Sequence, residues 1–562
     1  MGRFDELTGF LSSARIENGP WQALERAVAR MFIHQGWSHV SVVGGPGDMG
    51  ADVIVTDEAD ELVAQVKYKK DSGRNANKQI VQDVKRAIDF YDISRGIAVT
   101  NTKLSPSANQ YLEGLNNTGY SIQKIEGADL LGIYKQLDTW PATDYPPYDY
   151  QQRPIEKLEG RYKEGYDHAL LSLATGLGKT FVAGRFLQRV ISDNPDIRIL
   201  VLANQRSLIK QFEQELWEHL PKQVSTHLWY GNEIPAFDDG ITIATFQTVK
   251  NASQHDIAGQ YDVVVVDEAH HAPATTYRDV LETIDPEFLL GLTATPWRDD
   301  GLSMEELFGP PDPELTIDVI EALSKGYLTD VDYRLYCDSI DWEEVQDISR
   351  KNYSIKDINK RLFITERDDA ILDEISSVWE ETGASRAIVY CASIRHAERM
   401  ATFLRERGFA AKSFHSEIGD DREEEARLRE FRRGDLEIIT AMNKLNEGVD
   451  VPEVDLIVFL RVTHSRRIFL QQLGRGLRLS PGKDKVVVMD LVADIRRIAE
   501  AIDIDRELEK GEDPEVIETP FQLSFSGNKS QGFFKEYLQD KAEVKTKSAE
   551  EKLEFPPPTE DT

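Results

Sequence analysis

The chain has 562 residues, 40% of them hydrophobic, enough for three domains with cores of their own. A formal net charge of −32 excludes a protein that coats nucleic acid by bulk attraction, though not one that grips phosphates with local groups. Two cysteines, Cys337 and Cys391, exclude a disulfide framework and a cysteine metal cluster. No apolar run reaches membrane-spanning length, and Met1-Gly2-Arg3-Phe4-Asp5-Glu6 lacks the layout of a signal peptide, so the expectation is a cytoplasmic protein with no membrane partner.

Residues 1–16 read as a short flexible arm. From Pro20 to Gly36 the pattern is helical, with Leu24, Val28, Met31 and Phe32 on one face and Glu25 beside it. Val40 to Val43, a glycine-rich turn, Ala51 to Val55, an acidic turn at residues 57–60, and Leu62 to Tyr68 then read as strands closing in a hairpin. Period two sends Gln65 and Lys67 out of the same face. A hairpin symmetric about its acidic turn sets Asp52 opposite Gln65. A carboxylate and an amide oxygen can hold Mg²⁺, and a lysine can polarise a phosphate or orient a water. That is the chemistry of phosphodiester hydrolysis. The plainer alternative is a docking module whose Gln and Lys face solvent. Asp48 reads as a turn residue.

Gly47-Asp48-Met49-Gly50-Ala51-Asp52, Gln65-Val66-Lys67 and Gly96-Ile97-Ala98-Val99-Thr100-Asn101 resemble the PD-(D/E)xK nucleases, and more closely the Mrr-type restriction endonucleases. The resemblance spans roughly residues 17–135 and implies an α/β nuclease domain over 17–138. It also implies that Glu25, on the first helix, helps Asp52 with the metal. One departure stands out: Gln65 occupies a place where the general pattern has an acid, so it brings less charge to the cation.

A proline-rich stretch, residues 139–149, reads as a stiff linker. Beyond it the apolar run 169–173, the loop Ala174-Thr175-Gly176-Leu177-Gly178-Lys179-Thr180 and the run 181–187 read strand, loop, helix. Gly176 and Gly178 let backbone N–H groups converge, and the helix start adds its positive end. Lys179 can reach the β- and γ-phosphates and the Thr180 hydroxyl can hold Mg²⁺. Thr175, Gly176, Gly178, Lys179 and Thr180 are the candidate ATP-binding residues. The run Val263 to Val266 reads as a strand buried on both faces and ends in Asp267-Glu268-Ala269-His270. Asp267 would hold Mg²⁺ through water, and Glu268 would orient the attacking water. Further strands are expected at 197–202, 241–245, 387–393 and 436–441. Cys391, on one of them, reads as inert core.

These segments, with Gly291-Leu292-Thr293-Ala294-Thr295-Pro296 and the Gln-x-x-Gly-Arg-x-x-Arg pattern from Gln471 to Arg478, resemble superfamily 2 helicases of the DEAH-box type. Trp297-Arg298-Asp299-Asp300-Gly301 fits the branch that holds restriction motors and repair translocases. The resemblance spans roughly residues 145–495. It implies that Gln151 reads the adenine edge, that Arg206 and Thr245 hold the nucleic-acid backbone, and that His270, Thr293 and Thr295 couple hydrolysis to movement. Gln471 belongs to the same set. A place one helical turn apart would let Arg475 and Arg478 point together at the γ-phosphate. Capping offers a plainer use for such strand-end hydroxyls, Ser207 being one example.

The expected architecture is α/β: a restriction-endonuclease-like domain, then two RecA-like parallel-sheet domains over 150–328 and 329–500. Residues 501–562 carry 16 acids against 8 bases and read as an acidic, partly disordered extension. The expected function is an ATP-dependent DNA helicase or translocase carrying a Mg²⁺-dependent endonuclease, acting in restriction of foreign DNA beside partner subunits that choose the target. Two rivals stay open. One is a repair helicase-nuclease for branched or damaged DNA. The other is a translocase whose N-terminal domain only binds DNA.

Overall fold

The computed structural model describes residues 9–43, 49–57, 60–70, 74–142, 145–231, 233–252, 259–272, 275–294, 304–335, 365–418, 421–442, 445, 454–461, 472–479, 483–490 and 522–525. The chain divides into two compact units, Met1–Ser172 with Gly178–Thr316 and Leu173–Leu177 with Ile317–Thr562. The first unit holds two sheets and the second holds one.

The N-terminal sheet runs in the order β1-β2-β3-β4-β5. Its strands are β1 (His39–Val42), β2 (Val53–Thr56), β3 (Glu61–Lys67), β4 (Arg95–Thr100) and β5 (Ser121–Ile125). β1, β2 and β3 pair antiparallel, and β3, β4 and β5 pair parallel. Alternation sorts the two faces. Val53, Val55, Leu62, Ala64 and Val66 pack with α2 (Trp21–His34) through Leu24, Val28 and Met31. Ile54, Val63 and Ala98 pack with α3 (Gln79–Tyr91) and α4 (Pro106–Asn116).

The expectation of a flexible arm over 1–16 is corrected for its described part. Phe10, Leu11 and Ile16 are buried, and Ser13–Asn18 form α1. Their cluster includes Tyr134 and Trp217, residues far along the chain, so no local periodicity could announce the packing.

The second sheet of this unit has the order β12-β6-β11-β10-β7-β9-β8. These are β6 (His168–Leu173), β7 (Ile199–Ala203), β8 (Thr226–Trp229), β9 (Ile241–Thr245), β10 (Val263–Val266), β11 (Phe288–Thr293) and β12 (Thr316–Ile317). The registered neighbours β6, β11, β10, β7, β9 and β8 all run parallel. The four valines of β10 are fully buried, each contributing about 2 kcal/mol from loss of apolar surface. A strand flanked on both sides and covered on both faces needs that unbroken run.

The two sheets of the first unit are joined by a buried seam. α2 carries Arg26, Arg30 and His34 at four-residue spacing, one stripe of the helix. Arg26 meets Glu213 at 3.0 Å and Glu233 at 2.6 Å, Glu213 lying on α8 (Arg206–Trp217). The Arg30 guanidinium donates to the carbonyls of Val224, Leu220 and Pro221 at 2.6, 3.2 and 2.9 Å. Burial pulls Arg30 down to about 9, still high enough to stay charged at neutral pH. Lys222 Nζ donates to the carbonyls of Tyr134 and Leu137. The proline-rich linker is tied down as well: the Lys222 amide donates to Thr139 O at 2.8 Å and the Ala142 amide to His34 O at 3.2 Å.

The second unit is built on the parallel order β15-β16-β14-β17-β18-β13-β19. The strands are β13 (Asp330–Leu335), β14 (Ala387–Cys391), β15 (Ala411–Phe414), β16 (Ile438–Ala441), β17 (Leu456–Leu460), β18 (Lys485–Asp490) and β19 (Gln522–Phe525). Cys391 is buried and in no disulfide among the described residues. β19 was not expected: a strand of the acidic C-terminal extension pairs with β13.

Candidate active sites

The first candidate centre lies where β6 runs into α7 (Lys179–Asp193). Gly176 and Gly178 have φ of 97° and 80°, a region closed to most side chains. Gly178 is the N-cap, so Lys179 and Thr180 stand in the first turn, where unpaired amides face outward. A Cβ at Gly178 would come within 2.7 Å of Gln151 Nε2. Gln151, buried on α6 (Asp149–Lys163), thus lies against the loop, and its Oε1 accepts the Tyr148 amide at 3.0 Å. Tyr148 and Tyr150 stack beside it, 5.5 Å apart and 8° from parallel, with Tyr148 exposed. That pair was not singled out from sequence; its signal was the Tyr-x-Tyr spacing just before Gln151.

β6 and β10 are parallel and separated by β11, so the loop and the acids after Val266 share the carboxyl edge of the sheet. Burial and the neighbouring Glu268 push Asp267 up to about 7, while Lys179 draws it back. Lys179 and Asp267 are therefore electrostatic neighbours. A carboxyl group raised in this way is one that a divalent cation would return to its charged form, so the residues fit Mg²⁺. Glu268 sits at φ 49°, an uncommon conformation for a residue with a side chain. His270 is buried, with Nδ1 3.2 Å from Glu268 Oε2 and 3.4 Å from Thr293 Oγ1. It spans from the acidic box to the end of β11.

Other expected residues fall less neatly. The Thr245 hydroxyl accepts the Thr248 amide at 3.2 Å and caps α9 (Phe246–Lys250); the N-cap of α8 is Gln205, with Ser207 two places further on. Arg206 is exposed at the first turn of α8, over the Tyr230 ring at 5.7 Å. Thr295 and Gln471 lie outside the described residues, as does Asp48. The helical placement of Arg475 and Arg478 is corrected. The helix ends at Leu473. The amides of Arg475, Gly476 and Leu477 then bond to carbonyls three residues back, tightening the chain into turns. A Cβ on Gly476 would meet Val486 at 2.8 Å and Ile457 at 2.9 Å, so glycine lets the turn press onto the sheet.

The second candidate centre is in the N-terminal sheet. Val53 pairs with Ala64, and the Asp52 amide donates to Ala64 O at 2.9 Å, which sets Asp52 opposite Gln65 as the hairpin symmetry predicts. Gln65 Nε2 donates to Asp52 Oδ2, which also accepts the Val66 amide at 2.6 Å. Both side chains are buried. Lys67, two residues on and on the same face, is exposed. Glu25 is buried on α2, the helix that covers the opposite face. Among the described residues, no group of three or more His, Cys, Asp or Glu could hold a metal ion. A cation here would draw on Asp52 and, after a half turn of the amide, Gln65 Oε1. Those oxygen donors fit Mg²⁺.

Three family models match successive parts of the chain. Residues 16–134 match the restriction endonuclease family Mrr_cat. Residues 144–298 match the type III restriction enzyme res subunit family, and 366–480 the helicase conserved C-terminal domain. The endonuclease subunit of the type I restriction enzyme EcoKI from Escherichia coli is 27% identical over 64% of this chain and 35% of its own length. A protein of Schizosaccharomyces pombe named as a mitochondrial ATP-dependent helicase, irc3, is 25% identical over 63% of this chain and 58% of its own length. The DNA 3'-5' translocase XPB2 of Sulfurisphaera tokodaii is 25% identical over 61% of this chain and 80% of its own length. The chain thus spans little more than a third to little more than half of the first two.

Proposed function

Starting from a chain that joins an Mrr-type restriction endonuclease domain to the two helicase domains of a restriction-type motor, we propose that it is an ATP-dependent DNA translocase or helicase that also cuts DNA, in restriction of foreign DNA. The observation that carries this reading is the pairing, within one compact unit, of the Lys179–Asp267 neighbourhood with the Asp52–Gln65–Lys67 cluster.

At the first centre the α7 amides and Lys179 hold the β- and γ-phosphates, and Gln151 stands beside the loop to meet the base. Thr175, Gly176 and Gly178 shape the loop. Thr180 and Asp267 hold Mg²⁺, which when bound shields charge on the phosphates. Glu268 orients the attacking water, and its contact with His270 passes the change to Thr293 and, beyond the described residues, Thr295. Arg475 and Arg478 supply positive charge to the γ-phosphoryl group as it departs. Arg206, Thr245 and Gln471 serve the nucleic-acid track, gripping backbone rather than bases.

At the second centre Asp52 and Gln65 would hold the metal; Glu25, expected to help, lies on the helix that covers the other face of the sheet. Lys67 polarises the scissile phosphate or aligns the water. Further subunits that choose the target complete the system. Among the described residues no helix is long and apolar enough to cross a membrane.

The test uses plasmid DNA with Mg²⁺, with and without ATP. Lys179→Ala is expected to abolish phosphate release. Lys67→Ala is expected to end cutting and spare phosphate release. Loss of both activities in both variants, with folding intact, would sink the two-centre reading. The similarity to the XPB2 translocase favours a second reading, repair of branched DNA; faster action on a forked duplex than on a linear one would select it.

A further inference from the structure

The catalytic end of β3 is held from outside its own hairpin. Thr100 Oγ1, at the end of β4, donates to Lys67 O at 2.8 Å. Asn101 goes further. Its Oδ1 accepts the Lys69 amide at 2.7 Å, and its Nδ2 donates to Lys69 O at 2.9 Å. One side chain thus mimics a neighbouring strand and carries the pairing two residues past Lys67. Only one orientation of the amide satisfies both bonds.

The same Nδ2 donates to Ile16 O at 3.2 Å, and Tyr68 Oη donates to Glu17 O at 2.7 Å. Both acceptors lie in the last turn of α1, where carbonyls have no partner within the helix. α1 is in turn anchored to the motor side of the seam. Arg15 Nη2 reaches Asp239 Oδ1 and Oδ2 at 2.5 and 2.6 Å, and its guanidinium lies over the Phe237 ring at 4.4 Å. His227 Nε2 stands 3.6 Å from Asp239 Oδ1 as well. Ile16 sits in the apolar cluster that includes Trp217 of α8.

We propose that α1 is a strut between the motor sheet and the nuclease centre. Asn101 is a positioning residue for Lys67, and the Arg15–Asp239 pair makes that position depend on the motor sheet. The proposal deepens the nuclease reading of the Asp52–Gln65–Lys67 cluster and rests on it. The strut is short: within one six-residue helix, Arg15 holds the ion pair and the next two residues, Ile16 and Glu17, offer the carbonyls that meet Asn101 and Tyr68.

Hydrogen exchange at the Lys69 amide, measured in the full chain, tests the strut without any need for cleavage. Asn101→Ala should speed that exchange about ten-fold or more, since the amide loses its acceptor. Asp239→Arg and Arg15→Asp should each speed it by a smaller factor, and the double variant, with the pair reversed, should restore it. In cleavage assays Asn101→Ala should lower kcat by roughly ten- to 100-fold, as misplacement of a catalytic group does, with the KM for DNA and the rate of ATP turnover unchanged. Exchange at Lys69 that is the same in Asp239→Arg as in wild type overturns the strut. Wild-type cleavage lost in Lys67→Ala but retained in Asn101→Ala overturns the positioning role and leaves the nuclease reading intact. A wild type that never cuts, with the exchange pattern as expected, removes the nuclease reading and keeps the strut.

Discussion

On the proposed reading the loop before α7 and the Asp52 centre both meet phosphate oxygens, yet they are made of different material. The loop is backbone: two glycines in the left-handed region and the first amides of a 15-residue helix. Its side chains, Lys179 and Thr180, are additions to a cradle that the fold itself shapes. The Asp52 centre is mostly side chain, with the Val66 amide donating to the carboxylate. Its backbone is ordinary paired strand, and its chemistry depends on which residues meet across β2 and β3. A backbone site tolerates almost no change of conformation and much change of neighbouring sequence. A side-chain site should show the reverse.

The largest effect is expected at Gly178. Alanine there adopts a left-handed conformation at a cost of about 1–2 kcal/mol, and its Cβ drives against Gln151 Nε2. Phosphate release should fall by about 100-fold or more, as when a preorganised donor set is lost. A fall of less than about three-fold would break the contrast, because the cradle would then accept a side chain.

The next effect concerns the frame that holds the two centres together. His34 is buried in the seam beside Phe10, with ring centroids 5.2 Å apart. Burial, with Arg30 and Lys222 nearby, lowers its pKa to about 2. The unfolded chain takes up this proton as the pH falls below about 6.5, and the folded chain refuses it. Stability is unaffected above that pH and declines steadily below it, by about 2 kcal/mol at pH 5. Melting temperatures at pH 7.5 and pH 5 should converge in His34→Phe relative to wild type. An equal acid shift in both proteins would show that the seam does not sense pH.

The smallest effect is expected for Gln65→Glu. This exchange keeps an oxygen donor of the same length and adds charge to the ligand set, so cleavage should stay within about ten-fold of wild type and the Mg²⁺ needed for half-maximal cutting should fall. Collapse of cleavage to the level of Lys67→Ala would mean that the Gln65 amide bond to Asp52 is itself required.

The same contrast explains what could be read from the chain. The loop between β6 and α7 and the valine run of β10 are written in consecutive residues, so the first RecA-like sheet was legible. The hairpin register was legible because the acidic turn fixed its centre, and Asp52 falls opposite Gln65 as expected. Features that depend on distant partners were not. α1 and Phe10 find their apolar neighbours in Tyr134 and Trp217. The stripe of Arg26, Arg30 and His34 reads as a solvated helix face until Glu213, Glu233 and three carbonyls appear opposite it. Arg475 and Arg478 read as one helical face because the pattern looks helical, but Gly474, Arg475 and Gly476 lie within a run of turns, the amides of Arg475, Gly476 and Leu477 each bonding to the carbonyl three residues back.

The strand Gln522–Phe525 has a practical side. It pairs along β13 at the margin of the second unit's sheet, covering a row of backbone donors and acceptors that would otherwise invite another chain to add itself. The acidic tail is therefore a seal as well as an appendage. A shortened protein ending near residue 500 would bare the β13 margin and tend to self-associate, whereas one carried through Phe525 keeps it closed.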